Sequence, residues 1–176
     1  MMSVDMQHRG SDGGRLGFVG SCLGVSYPHI SSPNGHRFVL PSCRPSGFDS
    51  DGARTVASAL GKAALDRAYL THYGTLCGPD AVAAAVRQVE KGISDFEGFV
   101  TQAHCLHLED ELLIAHLAAE ITKSVAGRLQ SEGVCANSGR AGAGNGLLDG
   151  LLEVEVHLAA EGLAQLAERW HSSSAR

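Results

Sequence analysis

Prolines and glutamates divide this 176-residue chain into two regions of different character. Four of the five prolines lie within residues 24–50, where Gly24, Gly35 and Gly47 add further turn positions, so a long helix is excluded there. Every glutamate, by contrast, lies in residues 75–176. Because glutamate favours helix interiors while aspartate and glycine favour turns and caps, the first region should consist of strands and loops and the second mostly of helices.

The net charge of -5 is also unevenly distributed. Residues 1–74 carry 7 basic and 5 acidic side chains, whereas residues 75–176 carry 7 basic and 14 acidic ones. Without strong basicity, a nucleic-acid partner is not expected. No apolar run approaches the ~20 residues of a membrane span and no secretory signal follows Met1, so we expect a cytoplasmic protein without a membrane partner. Five cysteines without short metal-ligand spacings favour reduced thiols over a disulfide framework.

Hydrophobic patterning in the first region predicts a strand–helix–strand unit. Arg15–Gly20 and Arg67–Thr71 are short apolar runs that end in turn residues, and Asp49 or Asp51 can cap a helix between them. Residues 37–40 suit one more short strand. Strand, helix and strand in this order form a βαβ-like unit, so the predicted class is layered α/β, or α+β.

The second region reads as helical. Pro79 and Asp80 suit the first turn of a helix with a clear apolar stripe, and further helices are predicted over 106–130 and 147–170, with a bend or break at Gly162. In chain order, we expect a disordered leader at 1–14, the α/β region at 15–78, a helical extension at 79–170 with a flexible glycine-rich linker at 137–146, and a tail at 171–176.

Two strand ends and one helical cluster hold residues suited to chemistry. Ser21 follows the first predicted strand and His72 follows the second, and α/β folds collect ligands at such strand ends. His104, His107 and Glu111 have spacings that align on one helix face, which permits a metal site, although a solvated face is the ordinary outcome. The string around Ser21 does not fit the Gly-x-Ser-x-Gly elbow of a serine nucleophile.

Four segments in consecutive order point to one family. Arg15–Pro28 (RLGFVGSCLGVSYP) resembles a strand that ends in Thr-Gly-Asp and continues into a Gly-x-x-Tyr-Pro-like loop, and Phe38–Asp49 resembles a Phe-Pro-Thr-Thr-x-Pro-x-x-Phe-Asp stretch. Tyr69–Gly74 (YLTHYG) is similar to a Tyr-Leu-Thr-His-Phe/Tyr-Gly segment, and Val156–Leu163 is similar to a Leu-Asn-Ala-Gln-Gly-Leu segment. All four occur in metallo-β-lactamase fold metallo-hydrolases, in the glyoxalase-II-like branch.

The resemblance covers the C-terminal half of that family and implies part of its αββα sandwich, with a helical C-terminal extension. It assigns His72 as the remaining metal ligand, while Ser21 stands where the family has a metal-bridging aspartate. Complete relatives use zinc to hydrolyse esters, thioesters or lactams. Since the His-x-His-x-Asp-His motif is absent, the chain is expected to be truncated and catalytically impaired, with no catalytic residue assigned and zinc not stably bound by this chain alone.

Other interpretations remain open at this stage. The chain could be a non-catalytic protein-interaction module built from a degenerate remnant of that fold, with a homodimer or a partner chain covering the exposed sheet. A mononuclear metal site could instead combine His72 with His29 or His36 of the proline-rich loop. The substrate is not identified by any of these residues.

Overall fold

The computed structural model describes residues 5–9, 13–26, 37–45, 48–70, 74–131 and 145–174. These residues form a four-stranded sheet and four helices. In chain order the elements are β1 (Asp5–Arg9), β2 (Arg15–Gly20), α1 (Ser50–Lys62), β3 (Arg67–Leu70), β4 (Gly74–Cys77), α2 (Pro79–Cys105), α3 (Asp110–Ser131) and α4 (Asn145–Ser174). The mixed α/β class predicted from the sequence is confirmed, whereas the αββα sandwich stays a prediction.

The sheet has the strand order β1-β2-β3-β4. β2 and β3 are parallel, and the two outer pairings are antiparallel. Helix α1 connects the two parallel strands, as the crossover of a βαβ unit requires. Asp66, just before β3, reinforces this pairing because its carboxylate accepts a hydrogen bond of 2.7 Å from the backbone N–H of Arg15.

The leader prediction for residues 1–14 is wrong in part, because Asp5–Arg9 form β1 and pair antiparallel with β2. Pairing with β1 satisfies backbone groups on the outer side of β2, which a leader without structure would leave unpaired. The missed signal is Asp12-Gly13-Gly14, a run of turn residues of the kind that joins two hairpin strands. Gly13 has a φ of 78°, a left-handed conformation that glycine adopts without strain.

The described chain divides into two compact units, residues 1–42 with 50–93 and residues 43–49 with 94–176. In the first unit, one face of the sheet is buried through Val19, Ala68, Leu70 and Leu76. Space on this face is tight, since a β-carbon added at Gly17 would lie 2.5 Å from Leu65 Cδ1. The alternation of buried and exposed residues along β2 and β3 shows that only this face of the sheet belongs to the core.

Helix α2 confirms the apolar stripe read from the sequence. Its buried members recur at spacings of three and four: Val82, Val86, Val89, Ile93 and Phe96. The unit boundary falls within this helix, between Ile93 and Ser94, rather than at the position between 78 and 79 where the sequence changes character. The first half of α2 belongs to the unit that contains the sheet, and its stripe lies close to α1: Val86 Cγ1 is 3.4 Å from where a β-carbon of Gly61 would be.

In the second unit, α3 and α4 pack against each other. Of the bend or break predicted at Gly162, the break is wrong, because α4 is continuous from Asn145 to Ser174. Glycine at position 162 instead allows α4 to lie close to the backbone of Cys43: a β-carbon there would lie 2.9 Å from the carbonyl oxygen of Cys43. Arg169 fixes the same neighbouring segment by donating a hydrogen bond from Nη2 to the carbonyl oxygen of Phe48.

Two further details of the helical region differ from the sequence expectation. Leu112 and Val154 are apolar residues of the helices predicted over 106–130 and 147–170, from which we expect core packing, yet they are 70% and 56% exposed. The predicted linker at 137–146 lies outside the described residues except for its last two, which begin α4. Within the part of the chain that the structure describes, no helix has both the length and the hydropathy needed to span a membrane.

Candidate functional site

The carboxyl ends of the parallel strands β2 and β3 form one edge of the sheet. Gly20, the last residue of β2, pairs in register with Leu70, the last residue of β3. Ser21 follows Gly20 directly, whereas His72 lies two positions beyond Leu70, outside the described residues. Ligands in open α/β sheets bind beyond the carboxyl ends of the strands, so this edge is the candidate site.

A tight turn follows β2 and holds Ser21. The N–H of Cys22 donates to the carbonyl oxygen of Val19 at 3.0 Å, and the N–H of Gly24 donates to that of Ser21 at 2.9 Å. Gly24 has a φ of 72°, and a β-carbon there would lie 2.0 Å from the carbonyl oxygen of Leu40. Only glycine fits this position, so the turn holds the half-buried Ser21 in a defined place.

The segment after the proline-rich loop is fixed beside this turn. Val25 and Leu40 exchange two backbone hydrogen bonds of 2.8 and 2.9 Å, so the strand predicted at 37–40 forms isolated bridges rather than a continuous strand. Gln88 of α2 also binds the backbone of this segment. Its Oε1 accepts from the N–H of Val39 at 2.8 Å, and its Nε2 donates to the carbonyl oxygen of Arg37 at 2.9 Å.

This anchoring brings Arg37 to the candidate edge. Gly74, the first residue of β4, pairs with Leu70, and the Arg37 guanidinium lies against it. A β-carbon added at Gly74 would lie 3.1 Å from Nη1, 3.6 Å from Nη2 and 3.8 Å from Cζ. Gly74 has a φ of 94°, so both its backbone and the guanidinium favour glycine there. The edge therefore carries a permanent positive charge.

Sequence reasoning missed both Arg37 and Gln88. Arg37 stands immediately before the buried run Phe38–Leu40, which was a usable sign that its side chain lies at the border of the core. The sequence gives no such sign for Gln88, because it is one polar residue among others on the polar side of an amphipathic helix. Its role appears only when α2 and the extended segment are placed side by side.

Zinc does not fit the groups that the structure describes at this edge. Ser21 offers a neutral hydroxyl, and burial raises the pKa of the neighbouring Cys22 thiol, which outweighs the lowering effect of its backbone hydrogen bond. A thiol must lose its proton to bind a metal, so the raised pKa weakens Cys22 as a ligand. Among the described ranges, no group of three His, Cys, Asp or Glu side chains could hold a metal ion.

The helical cluster predicted from spacing does not form on one helix. Helix α2 ends at Cys105 and α3 begins at Asp110, so His104 and Glu111 belong to different helices. His107 lies in the connection with a φ of 52°, which breaks the helical spacing on which that alignment depended. His29 and His36, the alternative partners of His72, lie outside the described residues, as His72 itself does.

An aromatic pair marks the other face of the sheet. Phe18 of β2 and Tyr69 of β3 are register partners, and their rings stack with centroids 5.0 Å apart at an angle of 17°. Phe18 is 53% exposed, although large apolar side chains in strands are usually buried. The face opposite the core therefore presents apolar surface to its surroundings.

Searches against protein-family models, curated proteins and solved structures find no match. The metallo-β-lactamase resemblance therefore depends on the four sequence segments named above.

Proposed function

We propose that this chain is a metallo-β-lactamase-like module whose candidate edge is the counterpart of a metallo-hydrolase centre. In this chain the edge does not hold zinc stably and does not by itself hydrolyse esters, thioesters or lactams. Ser21 occupies the position of the bridging aspartate, and His72 is the histidine that such a centre would keep.

One observation carries this proposal. β2 and β3 are parallel neighbours joined by a helix, and their last residues, Gly20 and Leu70, are in register. The two positions that the resemblance assigns to the metal centre, Ser21 and His72, follow Gly20 by one residue and Leu70 by two in the sequence. They are about 50 residues apart in sequence, so the βαβ topology is an independent argument that supports pairing them.

The loss of catalysis follows from the ligands. A catalytic zinc ion takes about three protein ligands, and a carboxylate balances metal charge in a way that a hydroxyl cannot. Ser21 is neutral, and the Cys22 thiol beside it has a raised pKa. The nearby Arg37 guanidinium adds a positive charge, which disfavours a second cation at the edge.

The test is metal content and hydrolysis. The purified chain, dialysed against zinc and then against metal-free buffer, is analysed by elemental mass spectrometry and assayed with a thioester substrate. We expect zinc far below one equivalent and no turnover above background. Ser21→Asp restores a carboxylate at the edge and should raise zinc affinity, whereas Ser131→Asp, which places the same carboxylate at the exposed end of α3, should not.

Two results would contradict the proposal. Stoichiometric zinc in the unchanged chain, with turnover abolished by His72→Ala, would show a working metallo-hydrolase. Equal zinc affinity in the Ser21→Asp and Ser131→Asp variants would show that Ser21 does not stand at a former metal position.

The stacked pair of Phe18 and Tyr69 favours a second candidate function, protein binding through the exposed sheet face. The occupant we propose is a second copy of this chain, giving a homodimer. A contiguous exposed apolar patch marks an interaction site, and the homodimer proposed here takes the Phe18–Tyr69 pair as the centre of such a patch.

Light scattering after size-exclusion chromatography tests this second candidate. We expect a dimer at micromolar concentration that dissociates in the Phe18→Ser variant. Leu112→Ser is the matched control, because Leu112 is an exposed apolar side chain of helix α3 and does not belong to the sheet. A stable monomer, or equal dissociation in both variants, would rule this candidate out.

A further inference from the structure

The position of Arg37 at the candidate edge is not explained by the proposed function. A hydrolase centre built around metal cations has no evident need for a guanidinium beside it, yet the backbone of Arg37 is anchored to α2 and its side chain lies close to β4. Its backbone carbonyl oxygen accepts from Gln88 Nε2 at 2.9 Å, and its side chain lies against the glycine at position 74. Arg37 is half-buried, so its charge is partly shielded from water.

The sheet register locates this charge. Gly74 pairs with Leu70, and Leu70 pairs with Gly20, so Arg37 lies at the edge where β2 and β3 end. Two strand spacings separate Gly74 from Gly20, which is about 10 Å. The guanidinium and the turn that carries Ser21 therefore border the same short stretch of the sheet.

The chemistry of the edge suits an anion. A guanidinium keeps its positive charge at all physiological pH values and offers five N–H donors in a planar fork that matches the oxygens of phosphate and carboxylate groups. Arg37 also has contacts within the protein, and with five donors it can bind an anion without giving up all of them. The hydroxyl of Ser21 is neutral and does not oppose an anion.

We propose that this edge binds the oxyanion group of a small molecule, a phosphate or a carboxylate, with Arg37 as its charged anchor. The inference rests on the proposed function only in taking this edge as the ligand-binding one. In this view, replacement of the metal-bridging aspartate by Ser21 and the placement of Arg37 change the preference of the edge from a cation to an anion.

Isothermal titration of the full chain with inorganic phosphate at constant ionic strength tests the proposal, with acetate as the carboxylate arm. We expect saturable binding of at least one of the two, weakened about tenfold or more in Arg37→Gln because a charge-assisted hydrogen bond is lost. Arg87→Gln is the control, since Arg87 is an exposed arginine of α2. It should leave the affinity unchanged within about twofold, as expected for an exposed charge.

A second measurement needs no variant. Phenylglyoxal modifies accessible arginines, and mass spectrometry reports the rate at each one; the bound anion should slow modification of Arg37 and not of Arg87. The proposal is overturned if neither anion binds saturably, if the two variants lose affinity equally, or if the rate at Arg37 is unaffected by either anion. Zinc binding by the Ser21→Asp variant is measured separately, so failure here is distinguishable from failure of the proposed function.

Discussion

Gln88 offers the sharpest test of how the candidate edge is built. Its amide makes two hydrogen bonds to the backbone of the extended segment, to Val39 and to Arg37. A hydrogen bond of this kind contributes about 0.5–1.5 kcal/mol, and a buried N–H left without its acceptor costs about 1–3 kcal/mol. Val39 is fully buried, so replacing Gln88 by methionine, which keeps the volume and removes both bonds, should lower the free energy of unfolding by about 2–4 kcal/mol.

Urea denaturation followed by circular dichroism measures this loss. Gln102→Met is the matched control, because Gln102 lies on the same helix and is exposed, and it should change the free energy of unfolding by less than about 0.5 kcal/mol. The same experiment links the anchor to the site: Gln88→Met should also weaken phosphate binding, since it releases Arg37. If Gln88→Met is as stable as Gln102→Met, the amide does not hold the segment and the reasoning fails.

Two further predictions concern the second unit. Gly162→Ala should destabilise the chain by about 1–3 kcal/mol, because the added β-carbon meets backbone atoms of Cys43. Gly127→Ala is the control: Gly127 has open space around it on α3, so the added β-carbon should stabilise the chain by about 0.5–1 kcal/mol. Equal effects of the two variants in urea denaturation would refute the close approach at Gly162. Burial raises the pKa of the Cys43 thiol well above the usual 9.0, so only the unfolded chain loses this proton as the pH rises past 9.0. The free energy of unfolding should therefore fall above that pH, by up to about 1.4 kcal/mol per pH unit. Urea denaturation at several pH values should show that Cys43→Ala removes this fall, whereas Cys105→Ala, which replaces an exposed thiol, does not.

Much of the fold follows from local patterns. β2 occupies the predicted residues Arg15–Gly20, and the βαβ order emerges from two apolar runs and an aspartate-rich helix start. The apolar stripe of α2 could also be predicted, because apolar residues at spacings of three and four lie on one face of a helix. The predictions that failed depended on neighbouring segments: β1 pairs with the outer side of β2, and Gly162 lies within α4 where the helix closely approaches the carbonyl oxygen of Cys43.

The candidate site shows the same division. Ser21 could be placed at a strand end from the sequence, because the strand itself is visible there. The Arg37 charge could not be placed, since its position depends on a glutamine 51 residues away and on a glycine in a strand that the sequence did not reveal. Contacts between residues so far apart in the sequence produce no periodic pattern from which they could be predicted.

We propose that Ser21 and His72 correspond to two ligand positions of a metal centre. A zinc titration should compare four chains: the unchanged chain, Ser21→Asp, His72→Ala and the double variant. Ser21→Asp should gain zinc affinity and His72→Ala should remove this gain, so that the two substitutions are strongly coupled. Independent effects of the two substitutions, or tight zinc binding by the unchanged chain, would show that the two residues do not form one site.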